Sequence, residues 1–149
     1  MQVNNGISIV VGMKMPQDMV FSLLDFFDDS AVGHLSERID LLSYSKKLSS
    51  NALFLIVKDL DNCLGFVAYY INTEGKFAYI SQIITHKTGR HKGIGHLMIE
   101  SLKKSLIGSY NSIRLEVYNS NTNALEFYKR EGFVLREDRG EKSLLELIL

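Results

Sequence analysis

The stretch Thr88-Gly89-Arg90-His91-Lys92-Gly93-Ile94-Gly95-His96 decides the fold. It stands between an apolar β-type run, Phe77 to Thr85, and an amphipathic segment, Ile94 to Ile107, so it joins a strand to a helix. At such a junction, successive backbone N–H groups and the positive end of the helix can hold an anion. Gly93 and Gly95 let the backbone come close to it, while Arg90, His91 and Lys92 add positive charge. The loop therefore reads as a seat for a pyrophosphate. A dinucleotide fingerprint would need a third glycine where this chain has Met98, and a P-loop ends in Gly-Lys-Ser/Thr where the order here is Lys92-Gly93. From Gly93-Ile94-Gly95 alone, a plain glycine turn before a helix fits equally well.

Upstream of this loop the pattern is a meander. Ile7 to Val11 alternates and is β-branched, and Pro16 opens a helix on which Met19, Val20, Leu23, Leu24 and Phe27 recur. Leu35 to Leu48 is predicted as a second helix, ended by Asn51. The apolar runs Ala52 to Val57 and Leu64 to Ile71, joined at Asp59-Leu60-Asp61-Asn62, predict a hairpin, and Phe77 to Thr85 adds a third strand. Downstream, Ile113 to Tyr118 alternates apolar Ile113, Leu115 and Val117 with polar Arg114, Glu116 and Tyr118, so one of its faces is packed and the other wet. A short helix, Thr122 to Glu131, is capped by Gly132, and Phe133 to Arg136 and Leu144 to Leu149 close the chain as strands. Strands that come first as a meander and then alternate with helices predict an α/β fold, a three-layer α-β-α sandwich around a mixed, mostly antiparallel sheet.

The chain has 149 residues, 46% of them apolar, which suits a single domain over 1–149. Its 17 Lys+Arg balance 17 Asp+Glu, which argues against nucleic acid or an anionic membrane as the main partner. One cysteine, Cys63, excludes an internal disulfide framework, and no basic leader or long apolar run stands at the amino terminus, so a cytoplasmic location is expected.

Arg90-His91-Lys92-Gly93-Ile94-Gly95 after a strand resembles the Gln/Arg-x-x-Gly-x-Gly/Ala signature of the GNAT superfamily of N-acetyltransferases. Asn121-x-x-Ala124-x-x-x-Tyr128-x-x-x-Gly132-Phe133 resembles its second signature, and the order of elements resembles that fold over essentially the whole chain. The resemblance implies acyl transfer from acetyl-coenzyme A to an amine. It also implies that the pyrophosphate rests on backbone N–H groups from His91 to His96 and that the pantetheine runs beside Ile83, Ile84 and Thr85. Asn121 would touch the cofactor, and a backbone N–H near Ile84 would polarise the thioester carbonyl. The strand leaves through Thr85-His86-Lys87-Thr88, without the proline often found there in the family.

Aminolysis of a thioester needs a neutral amine, a donor for the developing oxyanion and a proton for the departing thiolate. A phenol of ordinary pKa about 10 can supply that proton, and Tyr128 resembles the family's general acid. Spacing alone equally allows Tyr128 a place on a packed stripe with Ala124, Phe127 and Glu131. Glu116, on the wet face of its strand, is the candidate base, directly or through a water, or else a solvated carboxylate beside Arg114. Leu115-Glu116-Val117 followed by Tyr128 resembles the base and acid pair of ribosomal-protein amino-terminal acetyltransferases.

His86, His91 and His96 do not share a helix face, so no metal site is expected, and Cys63 lacks the neighbours of a nucleophile. Tyr69, Tyr70 and Tyr79 could line an acceptor cleft or simply pack the sheet, and the acids of Asp25-Phe26-Phe27-Asp28-Asp29 could face a cationic acceptor or end a helix. Leu35-Ser36-Glu37-Arg38 through Tyr44 to Ala52, with Ala78-Tyr79-Ile80-Ser81, resembles GNAT proteins of bacterial surface-polysaccharide biosynthesis, which implies an amino-sugar nucleotide as the small-molecule amine acceptor. An amino-terminal peptide, a polyamine, and a non-catalytic acyl-coenzyme A binding module are the alternatives. The apolar Leu144 to Leu149 would allow a homodimer through the last strands or serve as an internal strand.

Overall fold

The computed structural model describes residues 2–4, 6–31, 33–90 and 92–149. Among them eight strands form one sheet in the order β1-β2-β3-β4-β5-β6-β8-β7. The strands are β1 (Gln2–Asn4), β2 (Ile7–Met13), β3 (Leu53–Asp59), β4 (Asn62–Asn72), β5 (Phe77–Thr85), β6 (Ser112–Tyr118), β7 (Val134–Asp138) and β8 (Lys142–Ile148). The helices are α1 (Gln17–Phe26), α2 (Leu41–Asn51), α3 (Ile94–Leu106) and α4 (Thr122–Arg130). Every pairing is antiparallel except β5 with β6, which α3 connects. A parallel pair needs such a crossover, so the loop that opens α3 necessarily lies at the end of β5.

Strand alternation builds two cores. On β3, Leu55 and Val57 face the α3 side with Met98, Ile99 and Leu102, whereas Phe54 and Ile56 face the α1 side with Val20, Leu24 and Phe27. Both faces of the central strands are covered, which is why their sequences read as continuous apolar runs. On β2 a bulge at Gly12, φ +78°, shifts the register between Val11 and Met13. Ile7, Ile9 and Val11 thus pack on the α3 side while Met13 joins the core of α1 and α2. The strands that contribute to that second core are β2 to β5, and on the same face β6 and β8 carry Arg114, Glu116 and Glu146 beside a buried Leu144.

The three-layer α/β fold is as the sequence predicts. Two details differ. Strand β1 precedes the strand predicted as the first, Ile7 to Val11. The predicted helix Leu35 to Leu48 is divided into a 3-10 turn at Leu35–Glu37 and α2, which Asp40 starts by accepting the Leu42 N–H at 3.2 Å. The division comes from Asp28, whose carboxylate takes both the Ser36 N–H (2.7 Å) and its hydroxyl (3.0 Å), a capture from outside the segment that periodicity does not reveal. Of the two roles open to Leu144 to Leu149, β8 takes the internal one, and the edge on that side of the sheet is β7. No described helix is long and apolar enough to cross a membrane.

Candidate active site

Strands β5 and β6 pair in register from Phe77 with Ser112 to Ile80 with Leu115, and the pairing stops there. Directly after Ile80, a bulge at Ser81 shifts the register of β5 against β4, from Tyr69–Ile80 to Ala68–Gln82. The backbone groups of Ser81 to Thr85 that face β6 therefore have no strand partner, which opens a slot in the sheet. Ile83 and Ile84 flank this slot on opposite faces, packed against the α3 core and the α1/α2 core respectively, and Thr85 is half-buried.

The slot leads to the start of α3. Gly93 is the N-cap at φ +76°, with no side-chain cap, and the first intrahelical bond runs from the Leu97 N–H to the Gly93 carbonyl at 3.0 Å. The N–H groups of Ile94, Gly95 and His96 thus precede the hydrogen-bonded ladder and point out of the helix end. A Cβ on Gly93 would meet nothing within 4 Å, whereas one on Gly95 would stand 3.0 Å from the Phe127 ring. Close approach of α4 therefore explains Gly95, and an open cradle adjoins Gly93. A pyrophosphate fits this arrangement, because free backbone donors at the positive end of a thirteen-residue helix border empty space.

The basic side chains of the loop do not act together. Lys92 is exposed, and His91 lies outside the described residues. Arg90 instead donates to the carbonyl of Ser30, part of a strap between the α1–α2 connection and the cofactor loop. In the same strap the Lys87 N–H donates to Ser30 Oγ at 3.1 Å and Lys87 Nζ meets Asp29 at 2.5 Å. His96 Nδ1 lies 2.8 Å from Glu131 at the end of α4, and Glu100 completes a cluster whose ligand-type atoms lie within 4.8 Å of one another. His86 is buried, stacked on Phe26 with centroids 4.6 Å apart, its Nδ1 2.8 Å from the Thr88 hydroxyl.

Tyr128 lies inside the α3-side core, edge-on to Phe127 and Phe133 at centroid distances of 5.3 and 5.4 Å. Burial pushes its phenol well above the ordinary range, so it stays protonated. Glu116 projects from the opposite face of β6. Arg139 Nη1 at 3.1 Å and Lys142 Nζ at 3.3 Å hold its carboxyl below the usual carboxylate range. Asn121 caps α4, its side-chain oxygen accepting the Ala124 N–H at 3.2 Å.

The sequence reading missed the surroundings of Glu116. Arg139 and Lys142 come from the β7–β8 hairpin, whose charged turn reads as ordinary solvated surface. Of the three tyrosines, Tyr69 packs into the α3-side core, while Tyr70 and Tyr79 are cross-strand partners on the other face. Tyr44 of α2 joins them, its hydroxyl 2.5 Å from Ser81 Oγ at the bulge, and burial pushes its pKa up to about 12. A cleft of about 580 Å³ beside them is lined by Tyr70, Asn72, Glu74, Phe77 and Tyr79. Asp28 and Asp29, in contrast, are committed to Ser36 and Lys87. Burial raises the Cys63 thiol, which suits inert packing.

No curated protein matches the chain by sequence. Solved structures of the same fold include PH1933 from Pyrococcus horikoshii OT3, 21% identical with TM-score 0.78, covering 96% of this chain and 98% of that one. The PaiA N-acetyltransferase of Thermoplasma acidophilum, in complex with coenzyme A, is 18% identical with TM-score 0.74, covering 95% and 99%. The ribosomal-protein-S18-alanine N-acetyltransferase of Escherichia coli is 15% identical with TM-score 0.73, covering 95% and 93%. The family model described as the Acetyltransferase (GNAT) family matches residues 19–133, which include both the helix-start loop and the Asn121 to Phe133 segment, and the chain belongs to that family.

Proposed function

We propose that this protein transfers the acetyl group of acetyl-coenzyme A to a primary amine by direct attack. The observation that carries this reading is the slot between β5 and β6, which runs into the open cradle at Gly93, with Glu116 and Tyr128 on the β6–α4 unit beside it. Bound there, acetyl-coenzyme A supplies an activated thioester. The N–H groups of Ile94 to His96, with Lys92 and the loop at His91, hold its phosphates, and Ile83, Ile84, Thr85 and Asn121 border its pantetheine arm. Arg90 contributes by fixing the loop to Ser30.

As the amine nitrogen bonds to the acetyl carbon, it must lose a proton, and the C–S bond must break with a proton delivered to sulfur. Glu116 takes the amine's proton, directly or through a water, and Tyr128 gives its own to the thiolate. A backbone N–H of β5 near Ile84 stabilises the carbonyl oxygen. The acceptor is a small-molecule amine, and the α2 and β5 segments favour an amino-sugar nucleotide over an amino-terminal peptide or a polyamine. We place the protein in the cytoplasm, and exposed Val134 and Leu135 on the edge strand β7 support pairing of two copies there.

Calorimetric titration with acetyl-coenzyme A and coenzyme A, followed by thiol release with a panel of amines, tests the reading. Saturable one-to-one binding and amine-dependent release are expected. A folded sample that binds neither compound refutes it, and binding without turnover of any amine leaves a non-catalytic acyl-coenzyme A module.

A further inference from the structure

The close approach of α4 to α3 brings a second group of side chains together. Phe127 meets Gly95 in that contact, where a Cβ would stand 3.0 Å from its ring. His96 follows Gly95 on α3, and Glu131 lies one turn beyond Phe127 as the C-cap of α4. Both Glu131 oxygens therefore reach His96 Nδ1, at 2.8 and 3.0 Å, across 35 positions of sequence. Glu100 stands one turn after His96 on the same face of α3, and its carboxylate completes a set of ligand-type atoms all within 4.8 Å of one another.

The charges of this set call for a cation. The Glu131 side chain is only 9% exposed, and it stands at the negative end of α4, where an enclosed carboxylate is disfavoured. Lys129 and Arg130 occupy the last turn of the same helix, yet among the described residues the His96 imidazole is the sole partner of that carboxylate. Glu100 is paired with Lys103 at 3.1 Å, a half-exposed contact of a kind that contributes little and yields readily. The separations also suit a metal. Ligands bound at about 2.0–2.1 Å around a four-coordinate Zn²⁺ stand roughly 3.3 Å from one another. His96, 63% exposed, and Glu100 can turn to close the remaining gap. One imidazole with two carboxylates is a donor set for a borderline ion such as Zn²⁺, whereas Mg²⁺ and Ca²⁺ take oxygen ligands.

We propose that His96, Glu100 and Glu131 form a binding site for a divalent transition-metal ion, with Zn²⁺ as its occupant, which clasps the end of α4 to the start of α3. The spacing that excludes a site among His86, His91 and His96 does not bear on it, because the third ligand comes from another helix. The site is independent of the acetyltransferase reading.

Calorimetric titration of the EDTA-treated protein with ZnCl₂, alongside thermal melts, tests it. Saturable one-to-one binding is expected, with a melting temperature that rises with Zn²⁺ concentration. Mg²⁺ is expected to bind about a hundredfold more weakly. His96→Gln, Glu100→Gln and Glu131→Gln should each weaken Zn²⁺ about tenfold or more. Glu100→Gln leaves the contact between His96 and Glu131 in place, so it separates a three-ligand site from a bare pair between two helices, even if Glu131→Gln folds poorly. Cys63→Ser should bind Zn²⁺ as wild type does, because Cys63 packs against the core of α1 and α2. The proposal is overturned if folded wild type does not bind Zn²⁺, if Mg²⁺ binds as well, if Glu100→Gln binds like wild type, or if Cys63→Ser abolishes binding.

Discussion

A methyl group on Gly95 would stand 3.0 Å from Cζ and 3.1 Å from Cε1 of Phe127, so the second glycine of the helix-start loop is fixed by the approach of α4 to α3. Gly93 answers to a different constraint, its φ of +76°, with open space where a side chain would go. Gly95→Ala should therefore overpack the helix contact and cost about 1–3 kcal/mol. Phe127→Leu in the same chain should recover part of that loss in a urea-melt cycle. Gly93→Ala should cost roughly 1 kcal/mol through the backbone alone and weaken acetyl-coenzyme A without coupling to Phe127. Additive effects of the Gly95 and Phe127 substitutions would show that the contact does not set the glycine.

Tyr128→Phe keeps the ring between Phe127 and Phe133 and removes only the hydroxyl, which no described residue bonds. Melting temperature and acetyl-coenzyme A affinity should stay close to wild type while kcat falls on the order of 10²-fold. Since burial raises the folded phenol's pKa above that of the unfolded chain, the contribution to stability is complete below about pH 10 and is lost as pH rises further. Equal activity of the Phe variant would assign Tyr128 to packing alone.

Glu116 behaves in the opposite sense. Hydrogen bonding to Arg139, then to Lys142, lowers its folded pKa, so its favourable interactions are complete above the ordinary carboxylate pKa and disappear as pH falls through the lower folded value. Glu116→Gln should lower kcat on the order of 10²-fold with coenzyme A affinity unchanged. Arg139→Met should let the carboxyl pKa climb back, moving an acid limb in the pH–rate profile upward. A limb that does not move would mean that Glu116 is not the group that titrates.

The layer order was legible because it depends on periodicity: β6 alternates, α3 is amphipathic, and the loop between β5 and α3 carries glycines where a left-handed cap and a close helix contact need them. What the sequence did not reveal is long-range. Asp28 breaks the predicted helix by capturing Ser36 from eight residues away, and Arg90 is drawn to a carbonyl sixty positions upstream. Glu116 could be placed on a wet face by alternation, but the cations that neutralise it arrive on a hairpin more than twenty residues later, with no local pattern to mark them. Alternation by itself sets Tyr69 and Tyr70 on opposite faces, but that Tyr79 shares a face with Tyr70 depends on the register of β5 against β4.

Arg90 and Ser30 join the acceptor-side connection to the cofactor loop, and Lys87 and Asp29 reinforce the join. Arg90→Met should thus raise KM for the amine as well as for acetyl-coenzyme A, whereas Lys92→Met, an exposed residue beside Gly93, should raise only the latter. Steady-state kinetics with each substrate varied in turn distinguishes the two. Equal patterns in both variants would reduce the strap to another phosphate contact.

Glu146 on β8 is buried on the polar side of the sheet and gathers three donors: Ser112 Oγ at 2.9 Å, Arg114 Nε at 2.9 Å and Arg136 Nη1 at 2.8 Å. Burial works against its charge, yet these bonds outweigh it and hold the carboxyl below the usual range. The network is then stabilising above the ordinary carboxylate pKa and weakens as pH falls through the depressed value. Glu146→Ala strands Arg114, which otherwise only stacks on Phe77 at 3.8 Å, so a loss of about 2–3 kcal/mol is expected at pH 7. The difference between wild type and variant should shrink in urea melts repeated toward pH 3, because protonation removes from the wild type what the substitution has already taken away. A constant difference across that range would trace the loss to packing and not to charge.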